Sequence, residues 1–150
     1  ITEMITGVDL VKMGIQVAAG QGLPLQQADV KFSGHSIQCR LNAEDPINFI
    51  PSPGKLWDCH FPGGRGVRVD THAHIGYEMP GCFDSLLAKL IVWGQDRDEA
   101  IAKMRAALTE TTLIGVQTVV PLHLAILNEP DFIARDVTIQ YLEDHPNLLG

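Results

Sequence analysis

The chain lacks several features that would place it in a specialised class of protein. No apolar run approaches the roughly 20 residues of a membrane-spanning helix. Positive charge is scarce, since 11 lysines and arginines stand against 18 acidic residues. The resulting net charge of −7 disfavours nonspecific binding to nucleic acid or to an anionic membrane surface. With 45% hydrophobic residues in a chain of 150, the composition is typical of a globular protein with one sizeable core.

Paired cysteines are also missing. Cys39, Cys59 and Cys82 are odd in number and form no CxxC pair, which favours reduced thiols over a disulfide framework or a zinc site. We therefore expect three buried structural thiols in a cytoplasmic protein. His72 and His74 are expected to share one face of a strand, but no third ligand accompanies them, and we predict no metal site.

Local patterns predict a β-rich first half and a second half in which strand and helix alternate, hence an α+β domain. Strands are expected at 34–42, 55–61 and 66–72, with the glycine-rich residues 63–66 as a hairpin connection. A phosphate-binding loop is the alternative for these glycines, but it needs a helix directly after it. The apolar run 86–93 predicts a buried strand, from which Lys89 should extend to solvent or pair with a buried acid.

Helices are expected at 8–19, 96–111, 121–127 and 138–144. Thr6 is the predicted N-cap of the first. Asp96 is the predicted N-cap of the second, with Glu99 completing a capping box. The second helix carries an apolar stripe that predicts a core face: Ala100, Ile101, Met104 and Leu108. The start of the chain has neither an initiator Met nor a signal-peptide pattern, so we expect a piece of a longer protein.

Residues 34–46, with the sequence GHSIQCRLNAEDP, are the most informative segment. Apolar and polar side chains alternate along it: Ile37, Cys39 and Leu41 against Gln38, Arg40 and Asn42. Because side chains alternate across a strand, the first set should face a core and the second a polar surface. Arg40 then occupies a fixed position on a rigid element. The spacing alone also allows an edge-strand arginine that pairs with Glu44 or Asp45.

This segment resembles the one that opens the C-terminal domain of biotin carboxylases. The likeness continues through residues 51–55 (PSPGK), 62–70 (PGGRGVRVD) and 84–92 (DSLLAKLIV). Residues 1–11 (ITEMITGVDLV) resemble the end of the preceding ATP-grasp domain. The resemblance implies a terminal helix and connector of a truncated ATP-grasp domain at 1–32. It implies a biotin carboxylase C-terminal domain at 33–150, with mainly antiparallel strands first and helices packed on the sheet in the second half.

The resemblance also implies an activity. Biotin carboxylases use ATP and bicarbonate to carboxylate N1′ of biotin, as in acetyl-CoA carboxylase and fatty acid biosynthesis. The ATP and Mg²⁺ sites belong to the ATP-grasp part, so this piece alone is expected to be inactive and to supply one wall of the active site. The implied partners are bicarbonate, a biotin carboxyl carrier protein, a carboxyltransferase component and a second copy in a homodimer.

Two matched residues carry the implied chemistry. Arg40 matches the arginine that contacts bicarbonate and the biotin ureido group, where its planar donor fork stabilises the biotin enolate. Asp84, in the matching Asp-Ser motif, is implied to orient the biotin pocket or Arg40, and its ordinary interpretation is a cap or turn residue.

Five further residues are candidates for supporting roles. Gln38, Asn42 and Glu44 are candidates for holding Arg40 in place, although a carboxylate in a surface turn explains Glu44 equally well. Arg65 and Arg68 match positions of the homodimer interface, but Arg65 stands where some relatives carry an aromatic residue.

Two other functions remain open from the sequence. The first is a non-catalytic module for dimerisation or carrier docking, in which Arg40 is a structural ion pair. The second is an ATP-grasp carboxylase that does not use biotin, ranked lower because the likeness includes the whole domain after the ATP-grasp part. The acceptor of the carboxyl group belongs to a separate component and is not specified by this sequence.

Overall fold

The computed structural model describes residues 1–149, and it has mixed helix and strand. The helices are α1 (Thr2–Thr6), α2 (Leu10–Ala18), α3 (Arg97–Glu110), α4 (Val120–Asn128), α5 (Pro130–Ala134) and α6 (Tyr141–Asp144), with a 3₁₀ turn at Gln27–Asp29. The strands are β1 (His35–Asn42), β2 (Gly54–Lys55), β3 (Asp58–His60), β4 (Val67–Thr71), β5 (Glu78–Met79), β6 (Leu86–Gly94) and β7 (Thr112–Ile114). No helix within these 149 residues is long and apolar enough to cross a membrane.

A three-stranded antiparallel sheet, in the order β1–β6–β4, forms the centre of the fold. β6 is the middle strand, which explains why its sequence is almost continuously apolar. In the register, Arg40 of β1 and Asp70 of β4 both lie opposite Lys89 of β6. β1 is therefore an edge strand on the side away from β6.

One face of this sheet packs against α3. The core there combines alternate residues of the strands with the stripe of the helix: Cys39, Leu41, Ala88, Leu90, Val92, Ala100, Ile101, Met104 and Leu108 are all buried. Asp96 caps α3 by accepting a hydrogen bond from the Glu99 backbone N–H at 2.8 Å. The Glu99 carboxylate accepts a hydrogen bond from the backbone N–H of Gln95. A capping box requires the N–H of the N-cap residue, Asp96, so the predicted box is not formed. The predicted helix, its cap and its apolar face are confirmed.

The long strand at 34–42, the buried strand at 86–93 and the helix that begins near Pro121 are also confirmed within a residue or two. The first helix was only partly predicted. Thr6 ends α1 instead of starting α2, and Asp9 is the N-cap of α2, accepting from the Lys12 backbone N–H at 2.8 Å. Near the end of the chain, α5 was not predicted, and the helix expected at 138–144 is shortened to α6.

The predicted hairpin at residues 63–66 is wrong. β3 pairs with β7 and β4 pairs with β6, so the glycines join two different sheets. The strand expected at 55–61 is split into β2, which pairs with β5, and β3. Both errors concern the choice of a pairing partner, which local turn signals do not determine.

Two expectations about single side chains are also wrong. β4 ends at Thr71, so His72 and His74 lie beyond the strand and do not share its face. His72 is hydrogen bonded to the Tyr77 hydroxyl at 3.2 Å. Of the cysteines, Cys39 is buried and burial raises its thiol pKa to about 12. Cys59 is only partly buried and Cys82 is exposed, so the prediction of three buried thiols holds for Cys39 alone.

Candidate functional site

Arg40 extends from β1 on the face of the sheet opposite α3. Ile91 is buried on that face, and we call the exposed part around Arg40 and Lys89 the open face. Its side chain is 54% exposed, and its Nη2 lies 3.9 Å from Oδ2 of Asp84. This is a loose ion pair, since charge-assisted hydrogen bonds are usually shorter than about 3 Å. No hydrogen bond joins the guanidinium to any group within residues 1–149. Its donor fork is therefore available to an incoming anion.

Asp84 lies at the entrance to β6. Its Oδ1 accepts a hydrogen bond from the Leu86 backbone N–H at 2.8 Å, which fixes the carboxylate at the start of the strand. The other oxygen points to Arg40. Asp84 thus combines the two interpretations that the sequence left open, a turn residue and a neighbour of Arg40.

Glu44 does not contact Arg40. One of its oxygens, Oε1, accepts hydrogen bonds from the Ser85 hydroxyl and from the Asn42 side-chain amide, the latter at 3.0 Å. Ser85 is buried, with 8% of its surface exposed. The three side chains connect the end of β1 to the start of β6, at the point where the register between the strands shifts. Such irregularities often re-aim side chains beside functional sites.

Asp45 is also turned away from Arg40. Its Oδ1 accepts from the backbone N–H groups of Ile47 and Asn48, at 2.9 and 3.0 Å. These bonds lower the pKa of the Asp45 carboxyl, because they favour its ionised form. The ion pair of Arg40 with Glu44 or Asp45 that spacing allowed is therefore not formed.

Lys89 is the residue opposite Arg40 on the open face. It is exposed, and it forms no ion pair with any acid within the described chain. The acid across from it on β4, Asp70, is taken by Arg68, through Nε at 2.8 Å and Nη2 at 3.0 Å. Lys89 thus extends to solvent, which was one of its two expected arrangements, and places a second positive charge beside Arg40.

Arg68 lies on β4 and Gln38 on β1, and both are paired with Ile91 of the middle strand β6. Besides Asp70, Arg68 binds Glu3 of α1, and both acids raise the pKa of its guanidinium, Asp70 more strongly. Arg68 therefore anchors α1 to the sheet. Arg65 is exposed and precedes β4.

His123 is a residue of this site that the sequence did not indicate. It lies on α4, and its Nε2 is 2.8 Å from the backbone oxygen of Arg40. Burial lowers the pKa of its imidazole. The two residues are 83 positions apart, and no local pattern connects them. Within residues 1–149, the structure brings together no three acidic, histidine or cysteine side chains that could hold a metal ion.

A protein-family model for the biotin carboxylase C-terminal domain matches residues 38–144. The chain belongs to this family. Biotin carboxylase from Haemophilus influenzae is 50% identical over 143 residues, which cover 95% of this chain and 32% of the relative. Biotin carboxylase 1 from Bacillus subtilis is 47% identical, over 97% of this chain and 32% of the relative.

Solved structures agree with this assignment. The biotin carboxylase domain dimer of 2-oxoglutarate carboxylase from Hydrogenobacter thermophilus, in complex with MgADP, ADP and bicarbonate, superposes with a TM-score of 0.97. It is 46% identical, and the match covers 100% of this chain and 33% of that one. A complete multifunctional pyruvate carboxylase from Rhizobium etli gives 0.95 at 32% identity, over 100% of this chain and 15% of that one. The chain thus spans about a third of the length of the curated relatives described here.

Proposed function

We propose that this chain is the C-terminal part of a biotin carboxylase and supplies one wall of the active site in which biotin N1′ is carboxylated with ATP and bicarbonate. The observation that carries the proposal is Arg40 on the open face. Its guanidinium is half exposed, its nearest acid is 3.9 Å away, and its strand is held on both sides. A cation in this state is prepared to bind an anion.

Arg40 acts on the charge that develops during the reaction. Loss of the proton from the biotin ureido nitrogen puts negative charge on the ureido oxygen. A guanidinium stays protonated and presents a planar set of donors to that oxygen. Removing one such donor from an enzyme typically lowers the rate by about 10²- to 10³-fold. Arg40 also binds bicarbonate, and Asp84, whose Oδ2 lies 3.9 Å from the guanidinium, borders the same site.

The rest of the active site lies in the remaining two thirds of the relatives' length. We assign residues 1–32 to the end of an ATP-grasp domain and residues 33–150 to the C-terminal domain. The exposed apolar side chains of α2 support this division, among them Leu10, Val11 and Ile15. ATP and Mg²⁺ bind to the ATP-grasp part, so the chain alone neither hydrolyses ATP nor carboxylates biotin.

The full-length protein that contains this chain, here called the parent protein, receives biotin on a carrier protein and passes the carboxyl group to a carboxyltransferase component. We place it in the cytoplasm, in keeping with its three free cysteines. It forms a homodimer, as the Hydrogenobacter domain does, with Arg65 and Arg68 at the interface. Arg65 is the freer of the two, since Arg68 is occupied by Asp70 and Glu3.

The test is transfer of labelled bicarbonate to free biotin by the parent protein. Arg40→Ala should lower the rate by about 10²-fold while the urea unfolding curve stays in place. Arg135→Ala is the matched control, because it makes the same substitution and removes the same charge near His35, at the opposite end of β1. If the wild type carboxylates no biotin, or if Arg40→Ala matches it, the catalytic assignment fails and a module for dimerisation or carrier docking is the better account.

A further inference from the structure

The free edge of β1 meets the start of α4, instead of another strand, at residues 40 and 42. The backbone N–H of Val119, the N-cap of α4, donates to the Asn42 oxygen at 3.2 Å. His123 bonds the Arg40 oxygen at 2.8 Å. These two oxygens are on the same edge because backbone groups of alternate residues point to the same side of a strand. Residues two apart on a strand are about 6.7 Å apart, close to the roughly 5.4 Å rise of one helical turn. Val119 and His123 therefore match Asn42 and Arg40 in spacing.

The direction of the bond from His123 follows from its partner. A backbone oxygen only accepts, so Nε2 carries the hydrogen and donates it. Burial of the imidazole lowers its pKa and favours the neutral ring. His123 is thus a neutral donor from the Nε2–H tautomer. Its bond to the Arg40 oxygen raises the imidazole pKa, but less strongly than burial lowers it.

The position of Arg40 depends on its backbone more than on its side chain. The guanidinium has only the loose contact with Asp84, so the side chain adds little to its own placement. On the β6 side, the backbone is fixed by the pairing of β1 with β6. On the free side, the bond from His123 is the only hydrogen bond within residues 1–149 that holds the Arg40 backbone.

We propose that His123 is a positioning residue, which holds the backbone of Arg40 so that the guanidinium meets the reacting anion at the correct place. The inference rests on the proposed function of Arg40. Misplacement of a reacting group by about 1 Å can cost on the order of 10²-fold in rate. Loss of the His123 bond frees one side of the strand at residue 40, so we expect an intermediate effect of about tenfold on kcat.

Two substitutions separate donation from packing. His123→Gln retains an N–H donor at the end of the side chain, whereas His123→Leu fills the space with no donor. In the parent protein, the leucine variant should lower kcat for biotin carboxylation about tenfold with KM for ATP unchanged. The glutamine variant should recover most of that loss. Ser36→Ala is the control, because it removes a side-chain bond to the Val92 oxygen from the same strand, away from Arg40; its kcat should stay at the wild-type value.

A double-mutant cycle tests whether His123 acts through Arg40. In an Arg40→Ala background, His123→Leu should have no further effect on kcat, because the group it positions is gone. An equal loss in both backgrounds overturns the proposal, as does an equal loss in the leucine and glutamine variants. If the leucine variant does not fold, His123→Ala takes its place as the variant without a donor. A kcat about tenfold lower that the glutamine variant recovers supports the proposal, and a wild-type kcat in the alanine variant contradicts it. A wild type without biotin-dependent carboxylation refutes the proposed function itself, whereas an active wild type matched by His123→Leu refutes only this inference.

Discussion

On one face of the central sheet, Cys39, Leu41 and Leu90 lie beneath α3 and are almost fully buried, whereas Arg40 and Lys89 extend from the same two strands to solvent on the open face. Consecutive residues of one strand thus meet opposite environments. Burial of the first set stabilises the fold, since each apolar side chain removed from water contributes about 1.5–3 kcal/mol. The open face places two like charges opposite each other, an arrangement that costs stability.

The comparison separates residues that stabilise the fold from residues for which we propose ligand binding. Arg40 and Lys89 lack a close acid, although Asp70, Asp84 and Glu44 are all nearby. Asp70 is held by Arg68 and Glu44 by a buried hydroxyl. Asp84 accepts a backbone N–H through Oδ1, and its Oδ2 faces Arg40 at the longer distance of 3.9 Å. Two neighbouring positive charges on a rigid sheet, with one loose acid partner between them, suit the binding of a small anion. Substitutions on the two faces should therefore have different consequences.

The largest effect on stability is expected on the core face. Leu90→Ala should lower the free energy of unfolding by about 2–5 kcal/mol, because it removes buried methyl groups and leaves a cavity. Lys89→Ala, one residue away on the open face, should change it by less than about 0.5 kcal/mol. Urea unfolding followed by circular dichroism compares the two in the parent protein. Equal losses would show that the two faces do not differ in the way described.

An intermediate effect is expected at the junction of β1 and β6. Glu44→Ala leaves the buried Ser85 hydroxyl and the Asn42 amide without their acceptor, at a cost of about 1–3 kcal/mol. Glu44→Gln keeps a carbonyl oxygen there and should cost less. Urea midpoints of both variants provide the measurement. If the alanine variant is as stable as wild type, the junction does not contribute to the fold.

The smallest effect is expected in the pH dependence of stability. Burial lowers the pKa of His123 below the usual value of about 6.5. As pH falls below about 6.5, the unfolded chain takes up a proton that the folded chain resists, so this contribution to stability is full above that pH and is lost below it. The pKa of His35 is also lowered, by burial and by Arg97. His35 therefore makes the same kind of contribution to the pH dependence of stability, and this contribution is present in every variant.

His123→Gln removes one of these two groups. Between about pH 7.5 and about pH 5.5, the wild type should therefore lose more stability than the variant, as measured by urea unfolding at both values. This window lies above the titration of the carboxyl groups of Glu3, Asp45 and Glu99, whose pKa values are lowered. Identical losses would mean that His123 titrates in the folded protein as it does in the unfolded chain.

The sequence predicted the core face better than the site. Alternation in 34–42, the apolar run at 86–93 and the capped helix at 96–111 are local signals, and they place Arg40 on the polar side of β1. The connection at 63–66 was misassigned because β3 and β4 pair with strands far along the chain. The contact of Glu44 with Ser85 spans 41 positions and that of His123 with Arg40 spans 83. Only the folded chain shows these contacts.

The most direct test of the account is Arg40→Lys in the parent protein, with urea unfolding and biotin-stimulated ATP hydrolysis measured on the same preparation. Lysine keeps the charge but lacks the planar donor fork. The account predicts an unchanged unfolding midpoint and a biotin-stimulated rate lowered by about 10²-fold. A lysine variant that keeps the wild-type rate, or one whose rate and stability fall together, would contradict the claim that Arg40 on the open face is kept for chemistry and not for the fold.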